Sequence, residues 1–140
     1  MKETIIITGA SSGIGRAAAL QLAAQGAQLV LAARNYHALS EVGDEIRATG
    51  GSAIVVPTDV TQASQIADLV SEAVATYGQI HGLVNCAGLG ILRAADQISA
   101  DDIDRMYAVN VKGLILVTQA VVAEMKNQRR QGHYPCWHDG

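Results

Sequence analysis

Residues Thr8 to Gly15 read Thr-Gly-Ala-Ser-Ser-Gly-Ile-Gly and stand between an aliphatic run and a segment of helical period. Gly9, Gly13 and Gly15 let the backbone turn tightly and approach a ligand closely, because no Cβ stands in the way. The first N–H groups of the helix that follows lack intrahelical partners and aim partial positive charge at whatever lies above them. Ser11 and Ser12 add hydroxyl donors, with Ile14 seated between the last two glycines. This chemistry suits the pyrophosphate of a dinucleotide held at the carboxyl end of a strand.

A second charge argument bears on which dinucleotide. An NAD site of this kind places Asp or Glu about 20 residues past the glycines, on the ribose 2′-hydroxyl. Here no acid occurs between Gly15 and Glu41, and the second aliphatic run ends in Ala32-Ala33-Arg34-Asn35. A guanidinium at Arg34 would pair with a 2′-phosphate, which makes NADP the expected cofactor. The alternative is that Arg34 is a solvated surface cation.

Positioning these residues requires strands that end where the chemistry begins. Apolar runs at Thr4–Thr8, Gln28–Ala33, Ser52–Pro57 and Gly82–Cys86 are nearly continuous, as in a parallel sheet covered on both faces. Between them lie helical segments, giving the order β-α-β-α-β-α-β-α. The first runs from Gly13 to Gln25 and stops at Gly26; the second, from Tyr36 to Thr49, carries the stripe Leu39, Val42, Ile46 behind an Asn35 cap. The third, Gln62 to Tyr77, lines up Ile66, Leu69, Val70, Ala73, Val74 and Tyr77, and Gly78 ends it. A last helix is predicted over 99–128, opened by a Ser99/Asp102 capping box. Its stripe is Ile103, Met106, Tyr107, Leu114, Val117 and Val121, with Asn110 on the same face, where a buried amide requires a partner.

Bulk properties narrow the field. With 140 residues and 49% hydrophobic content, one domain over residues 1–130 is expected. A formal charge of -3 without a basic block argues against nucleic acid, and Lys126, Arg129 and Arg130 read as complements to a helix end. No segment is expected to reach the roughly 20 apolar residues of a membrane span, so no membrane partner and a cytoplasmic location are expected. Cys86 and Cys136, 50 residues apart and outside any C-x-x-C pair, suit reduced thiols. No metal is expected, since His133, Cys136 and His138 have no fourth ligand.

The glycine spacing is G-x-x-x-G-x-G, and Asp59-Val60, Asn85-Cys86-Ala87-Gly88 and Asn110 follow in order, each in the expected structural context. Over roughly residues 3–130 the sequence resembles the short-chain dehydrogenase/reductase family. The resemblance implies that Asp59 contacts the adenine, with Val60 beside the ring. It also implies that the backbone at Asn85, Ala87 and Gly88 follows the cofactor ribose, Asn85 tying neighbouring strands together. Cys86 stands where the family has a second Asn. Asn110 takes a catalytic part by implication, anchoring a water linked to a lysine. The implied fold is a Rossmann-like, doubly wound parallel sheet in order 3-2-1-4, truncated after strand four and its following helix. The implied activity is reversible NADP-linked reduction of a carbonyl to an alcohol, with no substrate specified.

In the family a Tyr, with a Lys four residues later, exchanges the proton while a Ser holds the substrate oxygen. Here the positions four after Tyr36, Tyr77, Tyr107 and Tyr134 are Ser40, His81, Val111 and His138. Three readings follow: a reductase without turnover, an NADP(H)-binding module, and a fragment that associates with a complete relative or a copy of itself through helix 99–128. Residues 131–140 contain no Ala, Val, Ile or Leu but hold Trp137, Pro135 and Cys136. They are expected to form an aberrant or disordered tail instead of a fifth strand, with a shifted reading frame and a naturally short protein both open.

Overall fold

A computed structural model describes residues 2–132; His133, Cys136, His138 and most of the 131–140 segment lie outside the described residues. Four strands, β1 (Thr4–Thr8), β2 (Gln28–Ala33), β3 (Ser52–Pro57) and β4 (Gly82–Asn85), form one parallel sheet in the order β3-β2-β1-β4. β1 sets Thr8 beside Ala32 of β2 and beside Asn85 of β4, so the three carboxyl ends finish level. The β2–β3 pairing runs from Gln28↔Ser52 to Ala33↔Pro57.

Two-face burial follows from alternation along the central strands. Ile7, Leu29 and Leu31 pack with Ala19 and Ala23 of α1 (Gly13–Ala24) and with Leu39, Val42 and Ile46 of α2 (Tyr36–Ala48). On the opposite face Ile6 and Val30 meet Ile66, Leu69 and Ala73 of α3 (Ala63–Tyr77). Val117 and Val121, from the helix that follows β4, complete that face. Helix ends follow the chain's punctuation. Asn35 caps α2 by accepting from the Ala38 N–H at 3.1 Å, and Gly26, Gly50 and Gly78 take positive φ just past α1, α2 and α3.

The last helix departs from its sequence pattern. It is continuous over Ala100–Arg130 but has three parts: α4 (Ala100–Tyr107), a π-helical stretch at Ala108–Gly113, and α5 (Leu114–Arg130). The Ser99/Asp102 capping box forms as predicted, and Arg129 and Arg130 occupy the last turn. The predicted stripe does not hold upstream. Asp102, Val109 and Gly113 are buried, whereas Ile103, Tyr107 and Leu114 are 55%, 61% and 42% exposed. A π turn holds one extra residue, and each residue advances a helix by about 100°, so the inward face slips back by one position upstream of it. Asn110 is accordingly exposed, not buried.

Two further expectations need correction. β4 stops at Asn85, not Cys86, and all four of its residues are only half-buried because it pairs with β1 alone. The helix Ala100–Arg130 contains an 18-residue window of mean hydropathy 1.5, long and apolar enough by composition to cross a membrane, although no such segment was expected. Core helices pass the same test, and Val117 and Val121 pack into this sheet, yet only 22% of the window is buried.

Candidate dinucleotide site

The carboxyl ends of the strands open onto a cleft of about 380 Å³. From the β1–α1 loop it is lined by Gly9, Ser11, Ser12, Gly13, Ile14 and Gly15, and from the end of β2 by Ala32, Ala33, Arg34 and Asn35. Thr58, Asp59 and Val60 contribute after β3, Cys86, Ala87 and Gly88 after β4, and Val109 from the π turn. Eleven of the thirteen predicted site residues therefore converge here: Gly9, Ser11, Ser12, Gly13, Ile14, Gly15, Arg34, Asp59, Val60, Ala87 and Gly88.

The glycine loop has the shape its sequence requires. Gly9 takes φ +65°, and a Cβ there would run into the backbone of Cys86 and Ala87. A Cβ on Gly15 would strike the carbonyl of Gly9, so the loop closes on its own backbone. At Gly13, φ is +54° and a Cβ would meet nothing within 4 Å, which leaves this part of the loop open. Ser12 is the N-cap of α1, but its side chain makes no capping hydrogen bond, and the first turn of α1 holds no acid. Free donors, absent carboxylates and an open glycine form a cradle that fits a pyrophosphate.

Thr8, buried to 1%, holds the two sides of the cradle together. Its Oγ1 accepts from the N–H groups of Cys86 at 3.2 Å and Ala87 at 3.3 Å. Sequence reasoning missed this brace because its partners lie 78 and 79 residues away. It also passed over Ala32, Ala33, Asn35, Thr58, Cys86 and Val109 as lining residues. Adjacency to the named motif residues was the available signal for all of them, Val109 being next to Asn110.

Beyond β3, Asp59 Oδ1 accepts from the Thr61 N–H at 2.9 Å and the Thr61 hydroxyl at 2.7 Å. The Thr61 hydroxyl in particular holds the Asp59 pKa below the usual carboxylate value against partial burial, with the Thr61 N–H and the positive charge of Arg34 acting the same way. Arg34 is exposed on the cleft rim and belongs to none of the ion pairs among the described residues. Val60 is buried, and Gly113 makes room for it: a Cβ on Gly113 would approach Val60 Cγ2 to 2.7 Å.

Asn85 and Asn110 stand outside the lining. Asn85 Nδ2 donates to Thr118 Oγ1 at 3.0 Å, so its side chain ties β4 to α5, while the residue pairs with Thr8 in the β1–β4 ladder. Asn110 has the partner its chemistry calls for: Oδ1 accepts from the Leu89 N–H and Nδ2 donates to the Leu89 carbonyl, both at 2.8 Å. That clamp fixes the segment just after Gly88. Further along, Arg93 pairs with Asp102 at 2.8 Å.

A parallel sheet carrying a glycine-rich, anion-receptive cradle at the switch between β1 and its neighbours defines a dinucleotide-binding α/β protein. The short chain dehydrogenase family model matches residues 3–133, and the chain belongs to that family. It is 39% identical over 131 residues to an uncharacterized oxidoreductase of Listeria monocytogenes, covering 94% of this chain and 52% of that relative. A short chain dehydrogenase/reductase from Burkholderia phymatum in complex with NAD superposes with a TM-score of 0.86 at 36% identity, over 91% of this chain and 45% of the other. An actinorhodin polyketide ketoreductase variant with NADPH gives 0.86 at 29% identity, over 92% and 49%. The chain thus spans about half the length of the curated relatives it matches.

Proposed function

We propose that this chain is the NADP(H)-binding part of an oxidoreductase that interconverts carbonyl and alcohol. The observation that carries the cofactor choice is Arg34: it stands on the cleft rim without an ion-pair partner among the described residues, where an NAD site would place an acid. When bound, the nicotinamide supplies or accepts the hydride. The chain's own residues bind and orient. The Gly9–Gly15 loop and the start of α1 take the pyrophosphate, and Arg34 takes the 2′-phosphate. Asp59 and Val60 border the adenine, and Ala87 and Gly88 present a small surface to the ribose. Asn110 holds the segment after Gly88 in place through Leu89.

Proton exchange is a separate requirement. None of the four tyrosines has a lysine four residues on. In our reading the 140 residues bind cofactor without turnover, and the proton-exchanging groups must come from outside them. Nicotinamide fluorescence titration tests the binding. NADPH should bind more tightly than NADH, and Arg34→Ala should weaken NADPH about tenfold while sparing NADH. Tighter binding of NADH, or steady cofactor oxidation by the purified chain with simple carbonyls, would defeat the reading.

The outer face of α4 and α5 supports a second element. Ile103, Tyr107, Leu114, Ile115 and Val122 are large apolar residues left in solvent. We propose that this face associates with another chain of the family, a copy of itself included. Sedimentation of the purified chain checks this: a strict monomer at all concentrations excludes self-association.

A further inference from the structure

We propose that Asp59 is a second determinant of cofactor choice, a fixed negative charge on the cleft rim that opposes the 2′-phosphate which Arg34 attracts. The inference rests on the NADP(H) reading above and adds a residue that limits it.

The ends of β2 and β3 bring the two charges to one cleft. β2 and β3 pair at Ala33↔Pro57, and one further bond, from the Thr58 N–H to the Ala33 carbonyl at 2.9 Å, carries the pairing past the strand ends. In that register Arg34 falls opposite Thr58 and Asp59 lies one residue further along, and both Arg34 and Asp59 line the same cleft. Asp59 is not free to swing away. Its Oδ1 takes both Thr61 donors, and its own N–H donates to Gln65 Oε1 at 2.7 Å. Asp59 also makes no ion pair within 4 Å with Arg34, so neither charge neutralises the other by contact. An anion settling on Arg34 therefore meets a carboxylate that is held in place and ionised.

NADPH and NADH differ by one 2′-phosphate, which carries about −1.5 to −2 charges near neutral pH. Any contact of Asp59 with the adenine is common to both and cancels in the ratio of their dissociation constants. What remains is repulsion across a solvated rim, modest and sensitive to salt.

The test is that ratio, measured by nicotinamide fluorescence for the 140-residue chain and its variants. Asp59→Asn keeps a side-chain oxygen for the Thr61 donors while removing the charge. It should raise the preference for NADPH over NADH about threefold, and the gain should fade as ionic strength rises well past about 0.1 M. Asp59→Ser, a second neutral variant, should move the ratio the same way and covers disturbance of the turn by Asn. Asp68→Asn, which removes an exposed carboxylate of α3 outside the cleft lining, should leave the ratio unchanged. A flat or lower ratio in both neutral variants overturns the proposal, as does a rise of equal size in Asp68→Asn. Arg34→Ala judges the underlying reading separately, and binding of neither cofactor would take down both.

Discussion

The two sides of β1 are built differently. Toward β2 the sheet is closed: Ile6, Ile7, Leu29, Val30 and Leu31 have no exposed surface, and a methyl group on Gly15 would strike the Gly9 carbonyl. Toward β4 it is open, with half-buried strand residues and an apolar helix face in solvent. Besides the β1–β4 ladder and the buried Val117 and Val121, that open side carries polar side-chain ties, such as Asn85 to Thr118 and the Ile80 N–H to Gln128 Oε1 at 3.3 Å. The difference shows that the anion cradle depends on backbone packed against backbone. The flank that follows pairs along one edge of β4 only and leaves large apolar side chains in solvent.

The largest effect should come from filling the cradle. Gly15→Ala drives a methyl group into the Gly9 carbonyl, where backbone, not a movable side chain, must give way. A loss of about 3 kcal/mol is expected, read as a lowered Tm, together with loss of NADPH binding. Gly13→Ala, with strain from its positive φ but open space around it, should lose only about 1 kcal/mol. Equal losses at the two positions would erase the contrast between packed and open parts of the loop.

On the open side, the two faces of α5 should separate next. Val117→Ala empties a fully buried position and should lower stability by about 2 kcal/mol. Leu114→Ser, three residues earlier on the outer face, should change stability by no more than about 0.5 kcal/mol while weakening any self-association seen by sedimentation. A strongly destabilised Leu114→Ser monomer would show that this face is already covered within the chain.

Smaller effects test the ties. The Thr4 N–H, on a residue buried to 1%, donates to His81 Nδ1 at 2.9 Å, joining the start of β1 to the approach to β4. His81→Ala leaves that donor unmatched and should cost about 1 kcal/mol in urea unfolding. Asp102 gives the smallest and most condition-dependent term. The Ser99 N–H holds its pKa below the usual value near 3.8 despite burial, and Arg93 adds to the lowering. A carboxylate with a depressed folded pKa contributes stability that is fully present above its unfolded pKa and lost as pH falls through the folded one. Acid titration of Asp102→Asn should show a shallower loss below about pH 4 than the parent chain; identical acid limbs would remove Asp102 from the account.

Much of this was legible residue by residue. The strands at Thr4–Thr8, Gln28–Ala33 and Ser52–Pro57, the stripes of α2 and α3, the Asn35 cap and the Ser99/Asp102 box are local patterns, and local patterns report the period of the backbone that bears them. The glycine loop was legible for the same reason, since its spacing carries both the turn and the helix start. The inward face of the last helix was not. A π turn leaves no mark in hydrophobic periodicity, and it arises where Gly113 packs onto Val60, more than fifty residues earlier in the chain.

Sequence by itself determined the order of elements, the doubly wound class and the glycine loop from Gly9 to Gly15 that lines the cleft, because each depends on neighbours within a few positions. Tertiary structure alone decided that Thr8 braces Cys86 and Ala87, that Asn85 turns to α5, that Asn110 clamps Leu89 from an exposed position, and that Arg34 and Asp59 share one rim. Those pairings join strands and helices separated by 21 to 79 residues. Such contacts come into being only when parallel crossovers bring distant carboxyl ends level, and no periodicity along the chain encodes which side chains then meet.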